Sequence, residues 1–421
     1  MFRLPALLML AGFAASAADA VSAETILLQR ARYHMATMLT NLPNYTCLQT
    51  IERSFRSSPK RKPSLLDVVR IEVALVNGKE LFSWPGSGRF VDTEISQMVQ
   101  GGAIGTGSFA LHARAVFQGR VATYKYEGVE QMRGRKVHKW TFKVPRTQSG
   151  FLLRDGVNEA VVGYSGAFWI EAATMDAVRL EVRSDDIPAT LRIASTSDIV
   201  DYVRTRIGAQ DFLLPTLSEL VMVDNGGAEN NNRTTFTGCR QYGTESTLLF
   251  DDPAPESLIA KAAEPPRNLV APPKLVLEFD LKTAVNLRNA AVGDPLTGAL
   301  SKPVKLPDGT VLPKGTLVHG RLTYLRPTAL ARYQVLAVGM KFVELESGNT
   351  RVRIGAALQS IQTPGQEFVN RPGSAAFNMP VPENETILGS IIFVREYTSQ
   401  LRRGLRMIWL TTKPNNEDDS Q

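Results

Sequence analysis

Strands with one apolar face and one polar face are the feature of this sequence that most constrains its fold. Residues 138–144 (HKWTFKV) and residues 178–183 (VRLEVR) both alternate between apolar and polar side chains. A period of two residues indicates a β-strand, because successive side chains of a strand point to opposite faces. Strands that are apolar on one face only are typical of antiparallel sheets with one packed face and one wet face. The sequence therefore predicts such a sheet in the first part of the chain.

Helices are predicted to lie on the apolar face of that sheet. The apolar residues of segment 28–42 are spaced three and four apart, which places them on one side of a helix that ends before Pro43. The segment 95–117 looks helical on both sides of a glycine-rich stretch, GGAIGTGSF at residues 101–109. That stretch lacks the Gly-Lys-Ser/Thr ending of a phosphate-binding loop, so we interpret it as a flexible break and a lid hinge.

A proline-rich segment at residues 251–274 divides the chain. Six of the 24 prolines fall within it, and proline at this density favours an extended, semi-rigid linker. We therefore predict one domain at residues 24–250 and another at residues 275–412, followed by a polar, disordered tail at residues 413–421. Alternating strands and the turn sequences PDG and PKG are typical of a small β-barrel or sandwich in the second domain.

The N-terminal segment, residues 1–23, has the pattern of an export signal. Arg3 precedes an apolar run from Leu4 to Ala17 that is too short for a comfortable membrane span. Small residues follow, and cleavage is expected after Ala23. A membrane anchor that stays attached is the alternative. The segment predicts a periplasmic or secreted protein.

The two cysteines, Cys47 and Cys239, fall in the first and last predicted strands of the first domain. Because exported proteins meet an oxidising compartment, we expect a disulfide that joins those two strands. The chain has no Cys-X-X-Cys spacing to support a redox pair. Two unpaired core cysteines are the other alternative.

The sequence predicts neither a catalytic residue nor a metal or cofactor site. The chain has only four histidines, none spaced as a metal-binding pair, and it lacks the Gly-X-Ser-X-Gly motif. The acidic pair Asp185 and Asp186 comes just before a proline and is explained by a turn. A hydrolase is the alternative, and it would require a carboxylate or histidine with a perturbed pKa in a cleft.

Two groups of residues are candidates for binding. The first is a basic run that forms either a solvated hairpin loop or a contact with anionic head groups. It comprises Arg53, Arg56, Lys60, Arg61 and Lys62. The second is a set of aromatic side chains that either line a ligand cavity or form ordinary core. They are Trp84, Phe90, Phe109, Phe117, Trp140, Phe168 and Trp169. The basic run lacks the interleaved aromatic residues of RNA-binding modules, so we expect no nucleic acid partner.

The order of segments in the first domain resembles a known group of exported proteins. NYTC leads into a long strand, the basic break SSPKRKP follows, and DVVRIEVALVNGKELFSW forms strand, Asn-Gly turn and strand. Over residues 24–250 this pattern is similar to the LolA/LolB lipoprotein carriers and the RseB sensor domain. The resemblance implies a half-open antiparallel barrel with helices as a lid, and acyl chains bound in its concave apolar face.

Two further resemblances concern other segments. The segment DYVRTRIGAQDFLLP, residues 201–215, is similar to one that recurs in an uncharacterised family of exported acidobacterial proteins. Residues 290–322 resemble the TrbI-type β-barrels of conjugation machinery, although the membrane anchor of that family is missing. The matching positions are the turn residues Gly298, Asp308, Gly309, Pro313, Gly315 and Gly320.

Residues and resemblance together predict an α+β, mainly β protein. An antiparallel half-barrel with helices on its concave face would precede a small all-β barrel or sandwich. The predicted function is that of an exported non-catalytic binding protein that carries a lipid or lipidated chain in the concave face. The alternative is a periplasmic structural or sensory module that contacts proteins and has no small ligand. The implied partners are a lipid or lipoprotein, an envelope protein for the second domain, and a membrane contacted peripherally.

Overall fold

The computed structural model describes residues 22–87, 90, 92, 95–99, 101–243, 267–330, 333–362, 390–395, 398 and 400–414. Most of the predicted signal segment, the greater part of the predicted linker and most of the predicted tail lie outside these residues. The signal peptide, the linker and the disordered tail therefore stay predictions.

The first part of the chain forms an 11-stranded antiparallel sheet. Its strands are β1 (Tyr45–Arg56), β2 (Ser64–Val76), β3 (Lys79–Ser83), β4 (Thr123–Met132), β5 (Arg135–Val144), β6 (Phe151–Arg154), β7 (Glu159–Glu171), β8 (Ala177–Asp185), β9 (Ile193–Ile207), β10 (Gln210–Asp224) and β11 (Glu229–Gln241). They run across the sheet in the order β3-β2-β1-β11-β10-β9-β8-β7-β5-β4, with β6 paired to β7. The sheet is curled into a half-barrel, as predicted. The barrel stays open because its edge strands, β3 and β4, do not pair with each other.

Three helices accompany this sheet: α1 (Ala23–Thr40), α2 (Ile95–Met98) and α3 (Leu111–Phe117). Ser22 caps α1 because its hydroxyl accepts the backbone N–H of Thr25 at 3.2 Å. The buried stripe of α1 consists of Ala31, Met35 and Leu39. These side chains share a core with Trp140, Phe142 and Val144 of β5, so the helices cover the apolar face that the strand alternation predicted.

The second part of the chain forms a 9-stranded sheet, so the prediction of an all-β second region is confirmed. Its strands, with those of two small two-stranded sheets, are β12 (Arg267–Val270), β13 (Val276–Leu281), β14 (Val285–Asn286), β15 (Pro295–Leu300), β16 (Val304–Lys305), β17 (Val311–Leu312), β18 (Leu317–Leu330), β19 (Tyr333–Ser347), β20 (Thr350–Arg353), β21 (Gly355–Gln362), β22 (Ser390–Arg395), β23 (Gln400–Leu401) and β24 (Arg406–Thr412). The order is β12-β20-β19-β18-β15-β13-β24-β21, with β22 paired to β19. Only β12 and β20 run parallel among the pairs of the described strands.

The two large sheets share one continuous hydrophobic core, which includes Ile71 and Trp84 from the first and Phe342 and Trp409 from the second. Their backbones also meet directly. The N–H of Arg70 donates to the carbonyl of Val292 at 2.8 Å, and the N–H of Val292 donates to Val68 at 2.8 Å. The side chain of Arg70 also holds Asp294, at 2.6 and 2.7 Å. The division of the chain into two domains stays a prediction, because the two sheets pack as neighbours in one core.

Candidate functional site

A cavity of about 1210 Å³ opens on the helix-covered face of the first sheet. Its floor is formed by β8, β9 and β10, and its sides by the loop 102–108, by α3 and by the hairpin of β6 and β7. Tyr164 and Val182 belong both to its wall and to the core beneath α1 and α3. The cavity therefore lies in the concave face, beside the helices.

Apolar atoms form the larger part of the surface of this cavity. Its apolar side chains are Ile95, Ile104, Leu111, Ala115, Phe151, Leu152, Leu153, Val157, Tyr164, Val182, Ile193, Leu220 and Met222. Polar and charged side chains occupy about as many positions but less of the surface, among them His112, Thr196 and Asp198. A concave apolar wall with a few placed polar groups is the usual form of a site for a small organic ligand.

The loop 102–108 is fixed to the sheet near its start. The side-chain amide of Asn232 donates to the carbonyl of Ala103 at 2.8 Å, and the backbone N–H of Ala103 donates to Asn230 at 3.3 Å. Further along, Gly105 passes close to Leu220: a Cβ on this glycine would lie 2.8 Å from a methyl carbon of that leucine. The glycine-rich stretch interpreted as a hinge therefore forms part of the cavity wall.

Glu80 of β3 holds the other end of the same loop. Its carboxylate accepts the backbone N–H groups of Gly107 and Ala110 at 3.0 Å and that of Leu111 at 3.3 Å. Ala110 has no side chain that can cap α3, so Glu80 supplies the missing acceptor from another strand. Burial raises the pKa of Glu80, although the three N–H donors and nearby His112 act in the opposite direction.

The raised pKa of Glu80 predicts a pH-dependent stability. Below the usual pKa of 4.5, Glu80 is neutral in both the folded and the unfolded protein, and its full contribution to the free energy of unfolding is present. As the pH rises through the raised pKa, that contribution is lost, because the unfolded protein ionises at a lower pH than the folded one. We therefore expect the wild-type protein to lose stability relative to Glu80→Gln over that pH range. Chemical unfolding at a series of pH values measures the difference. Glu52→Gln, at an exposed position of β1, is the control. Its free energy of unfolding should change with pH as that of the wild type does. If the free energies of Glu80→Gln and the wild type also changed in parallel, the raised pKa of Glu80 would be contradicted.

His112 is a cavity residue that the sequence did not single out. Its Nε2 lies 3.2 Å from a carboxylate oxygen of Asp198, whose other oxygen accepts the hydroxyl of Ser218 at 3.0 Å. Its ring also meets Phe151 edge-on, at 5.9 Å. The only sequence indication was its place, three residues after the predicted hinge and at the start of a helix. The pair therefore places hydrogen-bonding groups in the cavity wall.

The seven candidate aromatic residues are distributed over separate clusters. Trp84 and Phe109 lie in the core shared by the two sheets. Phe117, Trp140 and Phe168 pack together beneath the helices, with ring centroids 5.1 and 5.5 Å apart. None of the seven belongs to the cavity wall. This corrects the prediction that these seven residues line the cavity, because their rings pack within the protein; the aromatic side chains of the wall are Phe151 and Tyr164.

The remaining two aromatic residues also lie away from the cavity wall. Trp169 packs in a small cluster with Val137, and the ammonium group of Lys139 lies 5.1 Å from its ring centroid. Phe90 meets Tyr242 edge-on, with ring centroids 5.2 Å apart. Each therefore has a packing partner within the protein.

The basic run is split between the interior and the surface. Arg53 is buried and binds the carboxylate of Asp67 through two hydrogen bonds of 2.7 Å, and Arg56 pairs with Glu229. The prediction of a surface contact is therefore corrected for Arg53. The other three cations, Lys60, Arg61 and Lys62, are exposed at the turn between β1 and β2, and their contact with an anionic surface stays a prediction.

Cys47 and Cys239 form a disulfide, with their Cα atoms 4.1 Å apart. They lie on β1 and β11, which are neighbours in the sheet. The expected link between the first and last strands of the first sheet is therefore present. Among the described residues, no helix is both long and apolar enough to cross a membrane, and no three His, Cys, Asp or Glu side chains form a group suited to a metal ion.

No protein-family model matches the chain, and no curated protein matches it. Several solved structures are similar to about half of it. They include an outer membrane lipoprotein-sorting protein domain from Vibrio parahaemolyticus (11% identity, 52% of this chain and 94% of that chain, TM-score 0.31). A DUF1329 family protein from Desulfovibrio piger is also similar (10% identity, 53% of this chain and 95% of that chain, TM-score 0.30). So is a LolA superfamily protein from Nitrosomonas europaea (13% identity, 54% of this chain and 96% of that chain, TM-score 0.26). The last belongs to the group that the sequence pattern resembles; we derive no function from these matches.

Proposed function

We propose that this protein is an exported, non-catalytic binding protein that holds a lipid or a lipidated chain in the concave cavity. The observation that carries the proposal is the cavity itself: about 1210 Å³ of space on the helix-covered face, with a surface formed mainly by apolar atoms. Its volume exceeds the roughly 300–1,000 Å³ of typical small-molecule pockets. Export to the periplasm or beyond is part of the proposal and rests on the N-terminal segment.

An acyl chain suits this wall better than a polar ligand does. Each methylene moved from water into an apolar site contributes about 0.8 kcal/mol. A chain of about a dozen methylenes would then gain roughly 10 kcal/mol before the losses of association are subtracted. The pair of His112 and Asp198 offers hydrogen-bonding groups for a polar head or an ester at one point of the wall.

Native mass spectrometry tests the proposal directly. The protein is purified without detergent, and any bound molecule is extracted with solvent and identified. We expect a reproducible lipid adduct, or its appearance after incubation with a membrane extract. A clean, unliganded mass in both cases would overturn the proposal and favour a protein-contacting module.

A substitution in the cavity floor links the adduct to this site. Met222 of β10 lines the cavity and is half-buried. Met222→Glu places a charge in the apolar wall, where an unpaired charge is strongly unfavourable beside a lipid chain. We expect at least a tenfold weaker binding of a fluorescent fatty acid, while Met222→Leu, the matched control, keeps wild-type affinity. Equal affinity of the two variants would place the ligand elsewhere.

A further inference from the structure

The hairpin of β6 and β7 presents apolar side chains to solvent at the mouth of the cavity. Val157, in the turn of the hairpin, is 81% exposed. Leu152 and Val161 face each other across the two strands and are 41% and 38% exposed. Leu111 of α3 is 38% exposed and lines the same cavity. Exposed apolar residues of both the hairpin and α3 therefore border the cavity.

The turn of this hairpin is held in a fixed conformation. The carboxylate of Asp155 accepts three backbone N–H groups: that of Asn158 at 2.8 Å, that of Arg192 at 2.9 Å and that of Val157 at 3.1 Å. These bonds, helped by the charge of Arg192, hold the pKa of Asp155 far below its usual range. The side chain of Val157 is thus displayed outward by a rigid turn.

The inner face of the hairpin is anchored, which leaves only its outer face available. Leu153 and Val162 point inward and pack with Leu191 and Ile193 in a buried cluster. The neighbouring positions in sequence, Leu152 and Val161, therefore point to the opposite face of the hairpin, because side chains alternate along a strand. The outer apolar residues do not contribute to that core, so their exposure needs another explanation.

We propose that this hairpin docks the cavity mouth onto the surface of a phospholipid bilayer, from which the ligand enters. The inference rests on the proposed function, since a lipid-binding cavity needs contact with a source of lipid. The exposed apolar side chains carry this contact, because the charges at the turn balance: Arg154 pairs with Glu159 at 2.7 Å and Arg192 pairs with Asp155 at 3.5 Å. Apolar residues beside arginines are the usual composition of a peripheral membrane contact.

Cosedimentation with vesicles of phosphatidylethanolamine and phosphatidylglycerol tests this docking. We expect the full-length wild-type protein to sediment with the vesicles and Val157→Asp to bind them roughly tenfold more weakly, since the valine would otherwise be buried in the interface. The matched control is Val276→Asp on β13, where the valine is 61% exposed and distant in sequence from the cavity; it should bind as the wild type does. Equal vesicle binding by all three proteins, or none by the wild type, would overturn the inference.

A gain-of-contact variant gives a second, independent readout. All four tryptophans of the chain are buried, so V157W introduces an exposed indole at the turn. Indole rings favour the membrane interface, and we expect its emission to shift to the blue when vesicles are added. An unshifted spectrum would contradict the docking.

Fatty-acid binding in solution separates this inference from the proposed function. Val161→Asp, on the same hairpin but not in the cavity wall, is expected to keep its affinity for a soluble fluorescent fatty acid while losing vesicle binding. A wild-type protein that binds the fatty acid but ignores vesicles would refute the docking and leave the carrier proposal standing. The reverse result, vesicle binding without fatty-acid binding, would refute the carrier proposal alone.

Discussion

Asp67→Ala is expected to lower the free energy of unfolding by about 3–5 kcal/mol, the usual effect of removing one partner from a buried ion pair. Asp67 lies on β2 with only 3% of its side chain exposed. Arg53, equally buried, donates to both of its oxygens at 2.7 Å. Arg326 of the second sheet donates to it at 2.8 and 3.0 Å. The alanine variant would leave a buried guanidinium without its carboxylate and would remove a bond between the two sheets.

An exposed ion pair provides the matched control for this prediction. Lys79 and Asp92 are 2.8 Å apart, but each has 69% of its side chain exposed. Pairs of this kind contribute little, at most about 1 kcal/mol, so Asp92→Ala should leave stability nearly unchanged. Denaturant unfolding of the two variants beside the wild type measures the difference. A similar loss of stability in both variants would contradict the claim that burial makes the ion pair of Asp67 the stronger one.

The pH dependence of Asp67 gives the same prediction a second test. Burial alone would raise the pKa of Asp67, but its hydrogen bonds and charge interactions with Arg53 and Arg326 outweigh burial and lower it. Its stabilising contribution is therefore fully present above the usual pKa of 3.8 and is lost as the pH falls through the lowered value. The stability difference between wild type and Asp67→Asn should shrink over that acidic range.

This ion pair could have been found in the sequence by strand periodicity. Ile51 and Arg53 are two residues apart on β1, as are Asp67 and Val69 on β2, so each charge shares a face with a buried apolar residue. The basic run from Arg53 to Lys62 obscured this, because five cations within ten residues look like one solvated loop. The register, which sets Arg53 opposite Asp67, then identifies the partner of the first of them.

The antiparallel sheet and its covering helices could be predicted because their patterns are local. A period of two residues placed Trp140 and Phe142 inward from the sequence alone, and both are buried. The cavity could not be predicted in this way. Its floor depends on which strands are neighbours: the pairing of β9 with β10 sets Thr196 opposite Met222 and Asp198 opposite Leu220. No spacing within either strand distinguishes these positions from ordinary core.

Loss of the disulfide is expected to lower the free energy of unfolding by up to about 5 kcal/mol. Cys47 and Cys239 are separated by 192 residues. A cross-link that closes so long a loop removes much of the conformational freedom of the unfolded chain, and the entropic model assigns about 5 kcal/mol to a loop of this length. Pairing of β1 with β11 does not reduce that contribution, since the hydrogen bonds of the sheet are broken in the unfolded state while the disulfide persists.

Reduction tests this with packing unchanged, because the thiols stay in place. The wild-type protein should unfold at lower denaturant concentration with a reducing agent than without one. The double variant Cys47→Ala, Cys239→Ala should unfold at about the same denaturant concentration as the reduced wild type, apart from the small effect of losing two buried sulfur atoms. A reducing agent should not change the midpoint of this variant. An unchanged midpoint for the reduced wild type would mean that the adjacent strands already restrict the unfolded chain. In that case the disulfide would serve to hold β1 and β11 together during folding or transit instead of stabilising the finished sheet.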